Sequence, residues 1–234
     1  MPSHTLSLQP GSIHVWTTRL DAPPDAIASA ERTLSPDEHA RAARYRGDHL
    51  RRRFVLARAA VRAVLARYLG ADPAAVVFEL GAHGKPRVSG DEPPFSVSHS
   101  ADVAVIAVSG AGAVGVDVEA IRLIPYLDDL AARNFARAER ATLEALPPDE
   151  RVEAFFRAWT AKEAYVKALG VGLAIPLDAF TVDIERAARV VVHDDAWRDA
   201  GDWWTRHFEP CRGYVGAVAS PVRDAALVFM GPLA

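Results

Sequence analysis

Two helical stretches 100 residues apart both end in Leu-Gly, at Leu69-Gly70 and Leu169-Gly170. This recurrence constrains the fold of the chain more than any other feature. Glycine closes a helix by taking the left-handed conformation that other residues avoid. At the same offset Arg62 and Arg67 fall on Lys162 and Lys167, and the apolar pair Val55 and Leu56 falls on Phe155 and Phe156. A helix that returns with its polar positions and its stop in register points to a duplicated unit.

The remaining segments fit two α+β halves. A strand is expected over residues 14–18. Ser35-Pro-Asp-Glu then starts a helix with Ser as N-cap and Pro at the first helical position, and that helix is expected to run to Leu69. Residues 76–80 read as a strand. Residues 102–109 and 114–121 read as two strands joined in a hairpin about Gly110-Ala-Gly112. Helices are expected over 131–146 and 152–169, then strands over 180–185, 190–193 and 214–220. The halves divide at this hairpin, giving residues 1–113 and 114–234.

The chain has 234 residues, half of them apolar, which suffices for a large core and excludes wholesale disorder. Its single cysteine, Cys211, excludes an internal disulfide and favours a reducing compartment. The longest apolar tract, residues 103–116, is interrupted and falls short of the ~18 residues of a membrane span. No export signal is legible in MPSHTLSLQPG, so a cytoplasmic monomer away from membranes is expected. Net charge is −3, yet residues 32–67 hold ten arginines against three acids. Such a cluster suits a solvated helix face or a polyanionic ligand.

Lysine is scarce: only Lys85, Lys162 and Lys167 occur, two of them in WTAKEAYVK. Trp159, Glu163 and Lys167 are spaced i, i+4, i+8 and share one helix stripe, with Lys162 off to the side. An exposed Glu-Lys pair has the same spacing, but an aromatic-flanked stripe also makes a pocket wall. In GVDVE the strand period puts Asp117 and Glu119 on one face. A solvated edge gives that alternation too. Here the flanks are apolar, and two carboxylates held together there repel unless a cation joins them; oxygen donors suit Mg²⁺. FSVSHS opens the strand that leads to the carboxylates and brings Ser98 and His99, which read as turn residues or as anion contacts, and GKP brings Lys85 in a turn.

In combination and in order, GKP, FSVSHS, GVDVE and FRAWTAKEAYVKALGVGL resemble the surfactin-type 4′-phosphopantetheinyl transferases, over Ser35 to Leu173. One position departs: the family's usual FNxSHS has Asn where Ser96 stands. The resemblance implies a pseudo-twofold α+β fold binding coenzyme A and Mg²⁺ between its halves. It implies that Asp117, Glu119 and Glu163 hold the metal, that Lys167 contacts the pyrophosphate, and that Arg53, Lys85, Ser98 and His99 contact coenzyme A. Arg41 is carried over as a coenzyme A contact, whereas Glu38 stands where some relatives have a basic residue. Glu163 and Lys167 are then the catalytic pair, Glu163 as base toward the serine of an acyl or peptidyl carrier protein in polyketide or nonribosomal peptide synthesis. For Lys162 the expected role is packing or a structural ion pair.

Two other readings stand beside this one. A metal-dependent nuclease would also use clustered carboxylates and a basic patch, although Glu163 and Lys167 are helix-spaced rather than on a strand. A coenzyme A or carrier-binding module without activity would have no need of three metal ligands.

Overall fold

The computed structural model describes residues 5–81, 83–90, 93–185, 188–194, 196–197 and 201–231, leaving the side chain of Leu173 and all of Ala82 outside the described part. The chain runs β1 (Ser12–Arg19), α1 (Pro24–Glu31), α2 (Pro36–Ala42), α3 (Asp48–Leu69), β2 (Phe78–Leu80), β3 (Pro86–Val88), β4 (Phe95–Ser100), β5 (Val103–Ser109) and β6 (Gly115–Ala120). It continues with α4 (Leu127–Asn134), α5 (Arg137–Ala145), α6 (Pro148–Leu169), β7 (Phe180–Thr181), β8 (Ala188–Arg189), β9 (Val191–Val192), β10 (Trp204–Phe208), β11 (Tyr214–Ser220) and β12 (Ala226–Met230). Two four-stranded sheets dominate, ordered β12-β1-β5-β4 and β6-β11-β10-β8.

The long helices α3 and α6 are each 22 residues and start and end 100 positions apart. Gly70 and Gly170 close them at φ 62° and 70°, in the left-handed region. Helix α3 buries Val61, Val64 and Leu65 against Trp16, Ile106 and Val108 of the first sheet. Full burial of one such side chain stabilises by roughly 1.5–3 kcal/mol. Helix α6 lies on the second sheet through Ala161, Ala164, Tyr165 and Ala168, against Ala217 and Ala219. The approach is so close that a Cβ on Gly115 would stand 1.8 Å from the carbonyl oxygen of Ala164.

Each long helix also carries one buried cation that ties down a short helix. Arg62 donates to Glu38 at 2.7 Å and to the carbonyls of Pro73 and Val76 at 3.0 and 2.9 Å. Lys162 reaches Glu139 at 2.8 Å and the carbonyls of Leu177 and Phe180 at 2.7 and 2.6 Å, which satisfies all three of its N–H groups. Glu38 accepts from the backbone N–H of Ser35 at the start of α2, and Glu139 from that of Ala136 at the start of α5. The repeat thus carries a paired cation–carboxylate clamp as well as a helix, the cations 100 and the carboxylates 101 positions apart. Lys162 is accordingly structural.

Several elements differ from the sequence expectation. The helix starting at Ser35 has the expected N-cap, completed to a capping box by Glu38, but it stops at Ala42, and Gly47 in extended conformation starts α3 afresh. The helix expected over 131–146 is two helices, because Phe135 leaves the helical path to bury against Phe155 and Ala136 becomes the N-cap of α5. The expected hairpin at Gly110 is a crossover: β5 pairs with β1 and β4, and β6 pairs with β11. Both strands are buried well beyond what a lone hairpin gives, and each sits in its own sheet. FSVSHS is the edge strand β4, not a turn. The strands expected over 180–185 and 190–193 shrink to two-residue pieces, β7 and β9. Strand β12 returns from the end of the chain to pair in parallel with β1.

Candidate active site

The two sheets meet where β4, an edge of the first, faces β6, an edge of the second. Among the described residues no backbone ladder joins these strands; serine side chains do. Period-two alternation puts Ser96, Ser98 and Ser100 on one face of β4, all three buried. Ser96 accepts from the N–H of Val116 at 3.0 Å. Ser98 donates to Asp117 Oδ1 at 2.6 Å, and Ser100 donates to Glu119 Oε2 at 2.6 Å while accepting from the N–H of Ala120 at 3.1 Å. The carboxylates of GVDVE therefore point at the seam.

Helix α6 closes the site from the third side. Lys167 donates to Asp117 Oδ1 at 2.7 Å and to Ser98 at 2.9 Å. Asp117 is almost wholly buried, and its Oδ2 has no hydrogen-bond partner among the described residues. Burial pushes its carboxyl above the usual range, opposed by the ammonium of Lys167. One turn earlier, Glu163 is also pushed up, first by burial and then by the charge of Asp117, with Glu119 adding to it and Lys167 opposing. Three carboxylates thus share one field. An orphaned buried carboxylate oxygen costs free energy until a donor or cation reaches it.

Oxygen-only ligands with uncompensated negative charge fit a hard divalent cation such as Mg²⁺. They do not form a finished cage, since among the described residues no group of three or more His, Cys, Asp or Glu side chains is arranged to hold a metal ion. Phosphate oxygens brought by a substrate would complete such a set.

Glu163 and Lys167 also line a cleft of about 270 Å³ whose other walls include Lys85, Val97, Val166 and Gly170. Lys85 reaches across from the turn between β2 and β3, donating to the carbonyls of Val114 at 2.9 Å and Ala168 at 3.4 Å. Burial pushes its ammonium down to about 8. His99 is on the opposite face of β4 from the serines, with its ring surface exposed. The protein mass around it lowers its proton affinity, and the charges of Lys167 and Arg53 add to this against Glu119 and Asp117. Arg53 is bound to Asp102 at 2.6 Å.

Of the expected residues, Asp117, Glu119, Glu163, Lys167, Ser98, Lys85, His99 and Arg53 gather about this seam. Arg41 does not: it lies over the ring of Phe54 and lines a separate shallow pocket with Arg44 and Tyr45. The arginine cluster is partly consumed inside the fold, with Arg51 on Glu31, Arg52 on Asp48, Arg53 on Asp102, and Arg58 and Arg62 on Glu38. Trp159 stacks on Phe155 at 5.9 Å and lines a neighbouring pocket with Glu119 and Arg122 rather than the cleft of Glu163 and Lys167. Sequence reasoning missed Ser100 and Arg122, both on Glu119 Oε2. The i, i+2, i+4 serines of FSVSHS were the available signal.

The chain is similar to known proteins over much of its length. A family model described as the 4′-phosphopantetheinyl transferase superfamily matches residues 113–219, from the crossover through β11. The chain is similar to the 4′-phosphopantetheinyl transferase HetI of Nostoc sp., 39% identical over 174 residues that cover 72% of this chain and 73% of the relative. It is similar to the 4′-phosphopantetheinyl transferase Sfp of Bacillus subtilis, 30% identical over 161 residues covering 68% and 70%. The 4′-phosphopantetheinyl transferase AcpT of Salmonella typhimurium is 40% identical over a shorter span of 110 residues, covering 47% and 56%.

Proposed function

Because this chain belongs to the 4′-phosphopantetheinyl transferase superfamily, we propose how its site carries out the reaction of that superfamily. The phosphopantetheine group of coenzyme A passes to a serine hydroxyl of an apo acyl or peptidyl carrier protein, leaving the holo carrier and adenosine 3′,5′-bisphosphate. The observation that carries this assignment to the seam is the Lys167 ammonium shared between Ser98 and buried Asp117 at the wall of the cleft. A fixed cation beside an unsatisfied carboxylate oxygen is suited to a pyrophosphate and its counter-ion.

Asp117, Glu119 and Glu163 would hold Mg²⁺, which when bound supplies positive charge to the phosphates of the reacting centre. Lys167 offers a second cation on the same phosphates, held in place by Asp117 and Ser98. Glu163, whose carboxyl binds a proton more tightly than an ordinary glutamate, takes the proton from the attacking serine directly or through a water. Lys85, Arg53, His99 and Ser98 contact the phosphates of coenzyme A. For Arg53 this requires sharing with Asp102, and for Lys85 turning one N–H from a backbone carbonyl. Arg41, apart from the cleft, serves the distal end of the coenzyme.

No helix among the described residues is long and apolar enough to cross a membrane. With one cysteine in the chain, the reading places a monomer in the cytoplasm. Residues 1–113 and 114–234 act as the two halves about the cleft, with β12 exchanged back into the first sheet.

The test is incubation with coenzyme A, Mg²⁺ and an apo carrier protein. The carrier gains the mass of one phosphopantetheine, and adenosine 3′,5′-bisphosphate appears in equal amount. Omission of Mg²⁺ with chelator present should stop the transfer; transfer at an undiminished rate would remove the metal from the account. A panel of fatty acid, polyketide and nonribosomal peptide carriers then ranks the acceptors.

A further inference from the structure

Glu119 differs from Asp117 in how it is held. Among the described residues, both donors to its carboxylate converge on one oxygen: Ser100 at 2.6 Å and Arg122 at 3.0 Å, each on Oε2. Among the described residues Oε1 takes no hydrogen bond. The Ser100 hydroxyl accepts from the N–H of Ala120 at 3.1 Å and gives its one proton to Glu119, because a carboxylate oxygen can only accept. Ser100 is buried and belongs to β4, whereas Glu119 belongs to β6 in the other sheet. Arg122 is exposed, and its guanidinium is itself fixed by the carbonyl of Ala120 at 3.1 Å and the ring of Phe156.

We infer that Ser100 is a positioning residue for Glu119, fixing the carboxylate from the opposite sheet so that only Oε1 remains to bind a cation. The inference rests on the metal reading given above and adds to it. A free glutamate has three rotatable bonds and ordinarily offers both oxygens. Occupying one of them turns a flexible, two-oxygen ligand into a directed single-oxygen ligand, and a supporting hydrogen bond of this kind strengthens metal binding. Because the hydroxyl comes from the other sheet, the ligand is in place only when β4 and β6 are docked.

The test uses Mn²⁺ as the probe, titrated into the whole protein without coenzyme A or carrier and followed by water-proton relaxation. Ser100→Ala is expected to weaken Mn²⁺ binding about tenfold, while Ser100→Thr, which keeps the hydroxyl, stays within about twofold of wild type. In the Glu119→Gln background Ser100→Ala should have no further effect, since the serine acts through that carboxylate. A merely structural serine would give the same loss in both backgrounds, and that result overturns the inference. Wild-type affinity in Ser100→Ala overturns it as well while leaving the metal reading intact. Mn²⁺ binding equal in wild type and Asp117→Ala, or absent from wild type even after coenzyme A is added, removes the metal reading and this inference together. Should Ser100→Ala fail to fold, Ser100→Cys, similar in size with a weak donor, carries the same comparison in both backgrounds.

Discussion

Lys167 shows why lysine persists in an arginine-rich chain. Its Nζ sits 2.7 Å from Asp117 and 2.9 Å from Ser98, a point charge on a thin stem, whereas a guanidinium favours a planar, bidentate partner. Lys167→Arg is therefore expected to lose nearly as much transfer rate as Lys167→Ala. Retention of most of the rate by Lys167→Arg would reduce its role to charge alone. Lys85 titrates about 8, so it is cationic below that pH and neutral above it. The KM for coenzyme A should climb as pH rises past about 8 in wild type and climb less in Lys85→Met; parallel profiles would take Lys85 off the phosphates. Glu163 gives a stability signature without any ligand. Its carboxyl holds a proton more tightly in the folded chain, so its contribution to stability is present below the ordinary carboxylate range and lost as pH rises through the elevated value. Metal-free Glu163→Gln should melt above wild type at neutral pH and converge with it near about pH 4. A glutamine variant that melts lower at neutral pH would contradict the mutual repulsion of the three carboxylates.

At the scale of elements, much was legible where local signals were strong and little where pairing was non-local. The Leu-Gly stops and the Ser35 N-cap stand as read, because caps are set by residues within four positions. The supposed hairpin at Gly110 did not, since adjacent apolar strands look alike whether they pair or part, and the partners of β6 lie about 100 residues downstream. Glu163, Lys167, Asp117 and Glu119 were legible from spacing. Ser100 and Asp102 were not, because their partners come from other elements, and Arg122 has a local partner in Glu119 but sits in a loop where no periodicity points it there. Lys162 was expected to pack or pair, and it pairs with Glu139, both fully buried. Lys162→Ala strands a buried carboxylate and should cost about 3–5 kcal/mol in denaturant unfolding; a cost below about 1 kcal/mol would show that the pair contributes little. Gly115→Ala forces a Cβ into the Ala164 carbonyl, so α6 must back away from β6. The expected loss is about 1–3 kcal/mol in stability, with a fall in transfer rate because Glu163 and Lys167 ride on the displaced helix. An unaffected rate would mean that the site tolerates a shifted helix.

Across the whole molecule, the seam between the sheets is the structural joint and the site proposed for the chemistry. β4 brings hydroxyls, β6 carboxylates and α6 a further carboxylate and an ammonium, so none of these elements holds the cluster alone. That is the physical sense of a duplicated fold with one cleft: the two halves carry similar clamps, Arg62 on Glu38 and Lys162 on Glu139, and differ where they face each other. The most direct measurement of the central claim is peptide mass mapping of an apo carrier protein after incubation with coenzyme A, Mg²⁺ and either wild type or Asp117→Ala. The account predicts one phosphopantetheine on a single serine with wild type and an unmodified serine with the folded Asp117→Ala variant. An unmodified carrier with wild type, across a panel of acceptors, would contradict the activity, and a serine modified equally by both proteins would contradict the site.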